Sequence, residues 1–226
     1  MYKFIDLFCG IGGFRVALEK RGLEGVFSSD IDTYVQEVYK KNFGEKPSGD
    51  ITEISEKEIL KHDILCAGFP CQSFSISGKM GGISDPRGRL FYEIHRIVDY
   101  HKPYILLLEN VKNILTIDGG NVGKTIESKL DELGYILHKN ILNASYFGIP
   151  QARERVYFVA LRKDMKTSNK RALDYNTPKA NRKNIFLEDI LETNVDADFF
   201  INRKDIRVLK KEYEVENKLE PKGRYC

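Results

Sequence analysis

Three stretches of the chain carry reactive side chains where a packed core has little use for them. In GFPCQSFS (68–75), Cys71 falls between Pro70 and Gln72, at the mouth of a Gly/Ser-rich loop. The apolar run ahead of it, DILCAGF (63–69), already holds a packing cysteine, Cys66. A thiolate is a nucleophile, and it forms most readily in a partly exposed, electropositive setting. On local context Cys71 is either such a nucleophile or one more small buried hydrophobe, a role that suits Cys9 and Cys66 better. Glu109 follows the apolar run YILLL, where partial withdrawal from water favours a carboxyl that can hold and pass a proton. A sheet-edge or helix-capping acid is the plain alternative. In QARER (151–155), Arg153 and Arg155 stand two apart. If extended, both guanidinium groups point to one face, suited to a phosphate or a carboxylate network; elsewhere such a pair is simply solvated.

A fourth stretch suggests a ligand. DLFCGIGGF (6–14) sets a strand end, a Gly-rich turn and a helix start in sequence. Gly10, Gly12 and Gly13 allow positive φ and close approach of backbone to a bound molecule. The spacing is not GxGxxG, so a dinucleotide fingerprint fits poorly. Asp30, at the end of the second apolar run, could accept from a ribose, and suits an uncharged adenosine better than a 2′-phosphate. The alternative is a tight turn beside an unrelated acid. GGNVGKT (119–125) ends like a phosphate-binding loop, but position 118 is Asp where that loop needs a glycine, and no apolar strand leads directly in.

The elements that must hold these residues alternate. KFIDLF (3–8), GVFSSD (25–30), DILCAGF, YILLLEN (104–110), ILHKNILNA and RVYFVALR read as strands, several nearly all apolar like parallel strands covered on both faces. GFRVALEKRG (13–22), IDTYVQEVYKKNFG, RLFYEIHRIVDYHK and VGKTIESKLDELG (122–134) read as helices between them. Such alternation predicts a doubly wound α/β sheet. After about residue 164 the chain turns polar and basic, FLEDILE offers one or two helical turns, and the rest is charged and weakly patterned. We therefore expect a domain over 1–164 and a linker with the incomplete start of a second region over 165–226. With 226 residues, 42% hydrophobic and net charge +3, the chain can bury a sizeable core, and its total charge says little about nucleic acid, for which the placing of the basic residues counts. Four cysteines without CxxC pairing and four scattered histidines argue against a metal site or a disulfide framework. No segment approaches membrane-spanning length and no cleavage signal is seen, so a cytoplasmic location is expected.

Together, DLFCGIGGF, Asp30, GDI (49–51), GFPCQSFS, the DPRGRLF that follows, ENVKNI (109–114) and GIPQARERVYF (148–158) resemble the cytosine-C5 DNA methyltransferases, in family order and spacing, over nearly all of residues 3–162. Asp30 stands where that family more often has the longer Glu, so it must reach further. The resemblance implies a Rossmann-like methyltransferase fold, mostly parallel and doubly wound, with an antiparallel strand near the C-terminal end. It implies S-adenosylmethionine as cofactor, left as S-adenosylhomocysteine, with Asp6, Phe8, Gly10, Gly12, Gly13, Asp30, Ile31, Asp50, Ile51, Pro70 and Leu90 at its site. It implies Cys71, Glu109 and Arg155 as catalytic residues with Arg153 in support, and no metal. Gln72, Ser75, Ser77, Lys79 and Arg87 are the corresponding DNA contacts, on a glycine-bearing loop (70–89) suited to close over a flipped base.

The family pattern also implies double-stranded DNA as partner, a nucleoid-associated place and a bacterial restriction-modification setting. In that pattern the chain continues through a target-recognition domain and a Gly-Asn-Ser-Val-like stretch, which this sequence does not contain. The expectation is a chain inactive or nearly so by itself, as the large subunit of a split enzyme, a natural truncation or an expressed fragment, with activity restored by a partner chain that supplies the missing half. The readings weighed against this are a tRNA cytosine-C5 methyltransferase with the same motifs, a non-catalytic DNA-binding regulatory subunit and, more distantly, a nicotinamide-dependent oxidoreductase.

Overall fold

The computed structural model describes residues 1–70, 89–165, 175–180 and 185–196. It divides into two compact units, Met1–Leu142 with Glu154–Pro178, and Asn143–Arg153 with Lys179–Cys226.

Among the described residues of the first unit, six strands form one sheet in the order β2-β1-β3-β4-β6-β5. They are β1 (Lys3–Leu7), β2 (Glu24–Ser29), β3 (Ile64–Ala67), β4 (Ile105–Val111), β5 (Tyr135–Asn143) and β6 (Glu154–Arg162). β1 pairs in parallel with β2 and β3, and β3 with β4, while β6 runs antiparallel to β4. The expected mostly parallel sheet with a late antiparallel strand is what forms. Helices α1 (Gly13–Glu19), α2 (Thr33–Phe43), α3 (Arg89–His101) and α4 (Asn121–Glu132) make the crossovers.

Alternation along each strand divides the core between the two sheet faces. Ile5, Leu7, Leu65, Leu106 and Leu108 pack with Ile94, Val98 and Ile126 from α3 and α4. Phe4, Ile64 and Cys66 turn the other way, toward Phe14 and Leu18 of α1. In α3, buried Phe91, Ile94 and Val98 recur at i, i+3 and i+7, the stripe that seats a helix on a sheet. α2 starts sharply because Asp32 accepts from the N–H groups of Tyr34 and Val35, and it stops at left-handed Gly44. Gly123, Lys124 and Thr125 lie inside α4, so GKT forms no phosphate loop. Among the described residues, no helix is long and apolar enough to cross a membrane.

In the second unit, a 3-10 turn over Ala144–Phe147 is capped by the Asn143 side chain and ends at left-handed Gly148. Another covers Leu187–Ile190, within the FLEDILE stretch.

Candidate active site

The C-terminal edge of the parallel strands gathers most of the residues singled out from the sequence. β1 ends at Leu7, and the chain turns through Phe8, Gly10 and Gly12, all with positive φ, at 55°, 54° and 94°. The expectation for the glycines holds for Gly10 and Gly12 but not for Gly13, which opens α1 with ordinary helical backbone. The left-handed position of this turn that is not a glycine is Phe8. Gly12 also answers to packing, because a Cβ there would run into the Phe43 ring. Around it, Arg15 lies over the Phe43 ring at 4.7 Å and donates to the Tyr39 hydroxyl at 3.2 Å. Gly10 is different, since a Cβ there meets nothing within 4 Å.

Asp30 stitches two turns together. Its Oδ2 accepts from the Gly10 N–H at 2.9 Å and its Oδ1 from the Asp32 N–H at 3.0 Å. Each carboxylate oxygen keeps a second lone pair for another donor. Beside it, Ile31 is 69% exposed, an apolar surface at a polar edge. The N–H of Asp30 donates to the Ser48 carbonyl at 3.0 Å, and Ser48 bridges Ser29, which brings the GDI stretch alongside. Asp50 then caps a short turn by accepting from Thr52 N–H at 2.9 Å, with Ile51 buried behind it. Leu90 lies in the first turn of α3, half-buried, and Pro70 is exposed.

Asp6 is buried, and neither carboxyl oxygen has a partner among the described residues. Burial holds its carboxyl well above the usual carboxylate range; the Arg15 backbone amide and guanidinium oppose this and Asp30 reinforces it. A buried polar group without a partner is costly unless something polar meets it. These features fit a phosphate-free nucleoside carrying positive charge. Of the eleven positions expected to line the cofactor site none is basic, and the acidic Asp30 and Asp50 are only half-buried. The open space over Gly10 and the bare face of Ile31 lie next to Asp30.

Glu109 stands on β4, on the sheet face opposite buried Leu108 and Asn110. Its Oε1 lies 3.0 Å from Nε of Arg155 on β6, and both side chains are under a quarter exposed. The register pairs Glu109 with Tyr157 and Val111 with Arg155, so the ion pair is a diagonal contact on one face. A Cβ on Gly68 would sit 3.8 Å from both Glu109 Oε2 and the Phe8 carbonyl. The acid, the glycine turn and the end of β3 are therefore close neighbours.

Arg153 lies just ahead of β6, which begins at Glu154. Its N–H donates to Asn143 Oδ1 and its carbonyl accepts from Ala144 N–H, within the second unit, with its side chain exposed. Cys9 and Cys66 are free, buried thiols, and burial pushes both well above the ordinary thiol range. Neither is fitted to act as a nucleophile. Cys71, Gln72, Ser75, Ser77, Lys79 and Arg87 lie outside the described residues.

One residue of the site was not picked out from the sequence. Asn110, buried at the end of β4, donates from Nδ2 to the Phe69 carbonyl at 2.8 Å and accepts the Val111 N–H at 2.8 Å. An amide beside Glu109, at the end of an apolar run, was the available signal, but nothing local names its partner.

The family model described as C-5 cytosine-specific DNA methylase matches residues 2–225. The chain belongs to that family. It is 48% identical over 213 residues to Type II methyltransferase M.HhaI of Haemophilus parahaemolyticus, covering 94% of this chain and 64% of that protein. With Type II methyltransferase M.HaeII of Haemophilus aegyptius it shares 54% identity over 158 residues, 70% of this chain and 50% of the relative. Among solved structures, a DNMT2 variant from Spodoptera frugiperda matches at TM-score 0.72 and 31% identity, over 93% of this chain and 65% of that one. The Entamoeba histolytica methyltransferase EhMeth matches at TM-score 0.74 and 27% identity, covering 94% and 66%. This methylase-family chain thus spans about half to two thirds of the length of the relatives it matches.

Proposed function

We propose that this chain is the catalytic part of a DNA (cytosine-5)-methyltransferase of the Type II kind, acting on a cytosine flipped out of duplex DNA through a covalent bond to Cys71. The observation that carries the reading is the Glu109–Arg155 pair, 3.0 Å apart at the strand edge where the glycine turn and the end of β3 meet. Family membership and relatives named Type II methyltransferases favour DNA as substrate.

Asp6, Phe8, Gly10, Asp30, Ile31, Asp50, Ile51 and Leu90 would hold S-adenosylmethionine, with Gly12 and Gly13 shaping the turn and Pro70 at its rim. When bound, that cofactor supplies an electrophilic methyl group on a sulfonium. The chain's own task is to make C5 of cytosine nucleophilic, which the aromatic ring is not. Cys71 does this by adding its thiolate to C6, and so converts the ring to an enamine. Glu109 hydrogen-bonds the N3 edge and shares its proton there, so that negative charge does not build up on the ring. Arg155 holds the Glu109 carboxyl from the side and reaches toward O2 of the base, with Arg153 in a supporting place. Once C5 is substituted, loss of its proton and departure of the thiolate restore the ring. Unstacking the base costs roughly a few kcal/mol, and the 70–89 loop with Gln72, Ser75, Ser77, Lys79 and Arg87 is the segment proposed to meet it.

Residues after 164 are proposed to begin the target-recognition region. Turnover is accordingly proposed for a species that supplies what the relatives carry beyond this match, in the same polypeptide or in a second one. The test is transfer of labelled methyl to duplex DNA and, separately, to tRNA, with that portion present. Transfer to duplex DNA, lost in Glu109→Ala, is expected. Transfer to tRNA alone would overturn the choice of substrate, and none to either would overturn the reading.

A further inference from the structure

Arg96 lies on α3, seven residues beyond Arg89 and away from the strand edge. Its guanidinium nevertheless spends most of its donors on one short segment. Nη2 donates to the carbonyls of Ile51 at 3.2 Å and Ile54 at 3.0 Å, and Nη1 donates to Glu56 Oε2 at 2.6 Å. From within α3, Glu93 Oε2 accepts from Nε at 2.9 Å and from Nη2 at 2.6 Å, which fixes the plane of the fork. Further along the helix, the His101 ring lies 2.8 Å from the Glu56 carbonyl. α3 thus grips three backbone carbonyls of the segment following Asp50.

The segment has little regular structure of its own. Two three-residue 3-10 turns, Ile51–Glu53 and Glu56–Glu58, are capped by Asp50 and Ser55 respectively. Such turns hold weakly by themselves. A rigid five-donor fork bonded to two carbonyls and a carboxylate sets their position in a way that a flexible ammonium does not. One of those carbonyls belongs to Ile51 itself, one peptide bond from Asp50.

We propose that Arg96 is a positioning residue for the cofactor site: by clamping the 51–56 backbone to α3 it sets the place of Asp50 and Ile51. The inference rests on the methyltransferase reading, since it gives that pair its ligand. Removing the fork lets the segment drift and weakens nucleoside binding, while the fold, whose core lies elsewhere on α3, persists.

The test is calorimetric titration with S-adenosylhomocysteine of the chain, with the portion its longer relatives carry beyond this match present, at a temperature where circular dichroism shows each variant folded. Arg96→Met keeps the apolar stem and removes the fork, and is expected to weaken binding about tenfold or more. Arg96→Lys should fall between it and the unaltered chain, and Glu56→Gln should show a smaller loss. Leu130→Ala, a core truncation in α4, measures what destabilisation alone does and should leave the affinity unchanged. Binding by folded Arg96→Met within twofold of the unaltered chain overturns the inference, as does an equal loss in Leu130→Ala. If Arg96→Met does not fold, unweakened binding by both Arg96→Lys and Glu56→Gln overturns it. Failure of the unaltered chain, with that portion present, to bind S-adenosylhomocysteine would instead remove the cofactor reading itself.

Discussion

The side-chain amide of Asn110 donates to the carbonyl of Phe69 at 2.8 Å, bridging 41 residues of sequence, while its oxygen accepts the N–H of Val111. The end of β4 is thereby fastened to the last buried residue before Pro70 and Cys71. The bond to Phe69 is buried and the one to Val111 partly so, and removing the amide takes a partner from each. Asn110→Leu should cost about 1–3 kcal/mol in urea unfolding, the scale for one buried group left unpaired. It should also slow methyl transfer, since Phe69 stands two residues before Cys71. Unchanged stability in the variant would show that water replaces both bonds.

Glu109 and Arg155 make a second link between strands, and here the chemistry is at stake. Glu109→Gln keeps the shape and a hydrogen bond toward Arg155 but loses the acid. Methyl-transfer turnover should fall about 10²-fold or more, the scale of general acid–base assistance. Arg155→Lys keeps the charge but loses the Nε contact and should also slow turnover. Single-turnover rates at saturating DNA separate this effect from weaker binding.

Gly12 carries a steric prediction. Its φ of 94° and the overlap that any Cβ would have with the Phe43 ring both penalise a side chain. Gly12→Ala should destabilise by at least about 2 kcal/mol, the combined scale of overpacking and left-handed strain. Phe43→Ala in the same background should recover the steric part but not the backbone part. Chemical unfolding of the two variants and their double mutant measures the coupling.

His62 sets an acid limit on stability. Burial first of all, with the Leu60 carbonyl hydrogen bond opposing, His101 adding and Asp63 opposing, takes it from 6.5 down to about 4. Because its folded value is depressed, the unfolded chain binds the proton first. The contribution is complete above pH 6.5 and is lost as pH falls toward 4, by about 3 kcal/mol at most. His62→Gln does not titrate, so its melting temperature should fall less than that of the unaltered chain between pH 7 and pH 4.5.

Much of this architecture was legible in the chain because it is written in local patterns. The short runs read as strands match every described strand, and RLFYEIHRIVDYHK reads as the helix that forms α3. Cys9 and Cys66 read as packing residues because they sit in or beside such runs, and both are buried. What was not legible depends on partners distant in sequence. Arg96 reaches carbonyls 42 and 45 residues away, and Asn110 one 41 residues away, with no periodicity to announce either. The left-handed turn at Phe8 has no glycine to mark it. Arg153 stands just ahead of β6, with its N–H donating to the Asn143 side chain, a partner ten residues away.

The central claim is that Cys71 bonds to the pyrimidine, and covalent trapping tests it most directly. Duplex DNA carrying 5-fluorocytosine has no C5 proton to lose, so the addition product persists. Incubated with S-adenosylmethionine and the portion found in the longer relatives, the chain should form a denaturation-resistant adduct whose peptide map places the link at Cys71. Cys71→Ala should form none. An adduct that survives this substitution, or methyl transfer at undiminished rate without the thiol, would contradict the account.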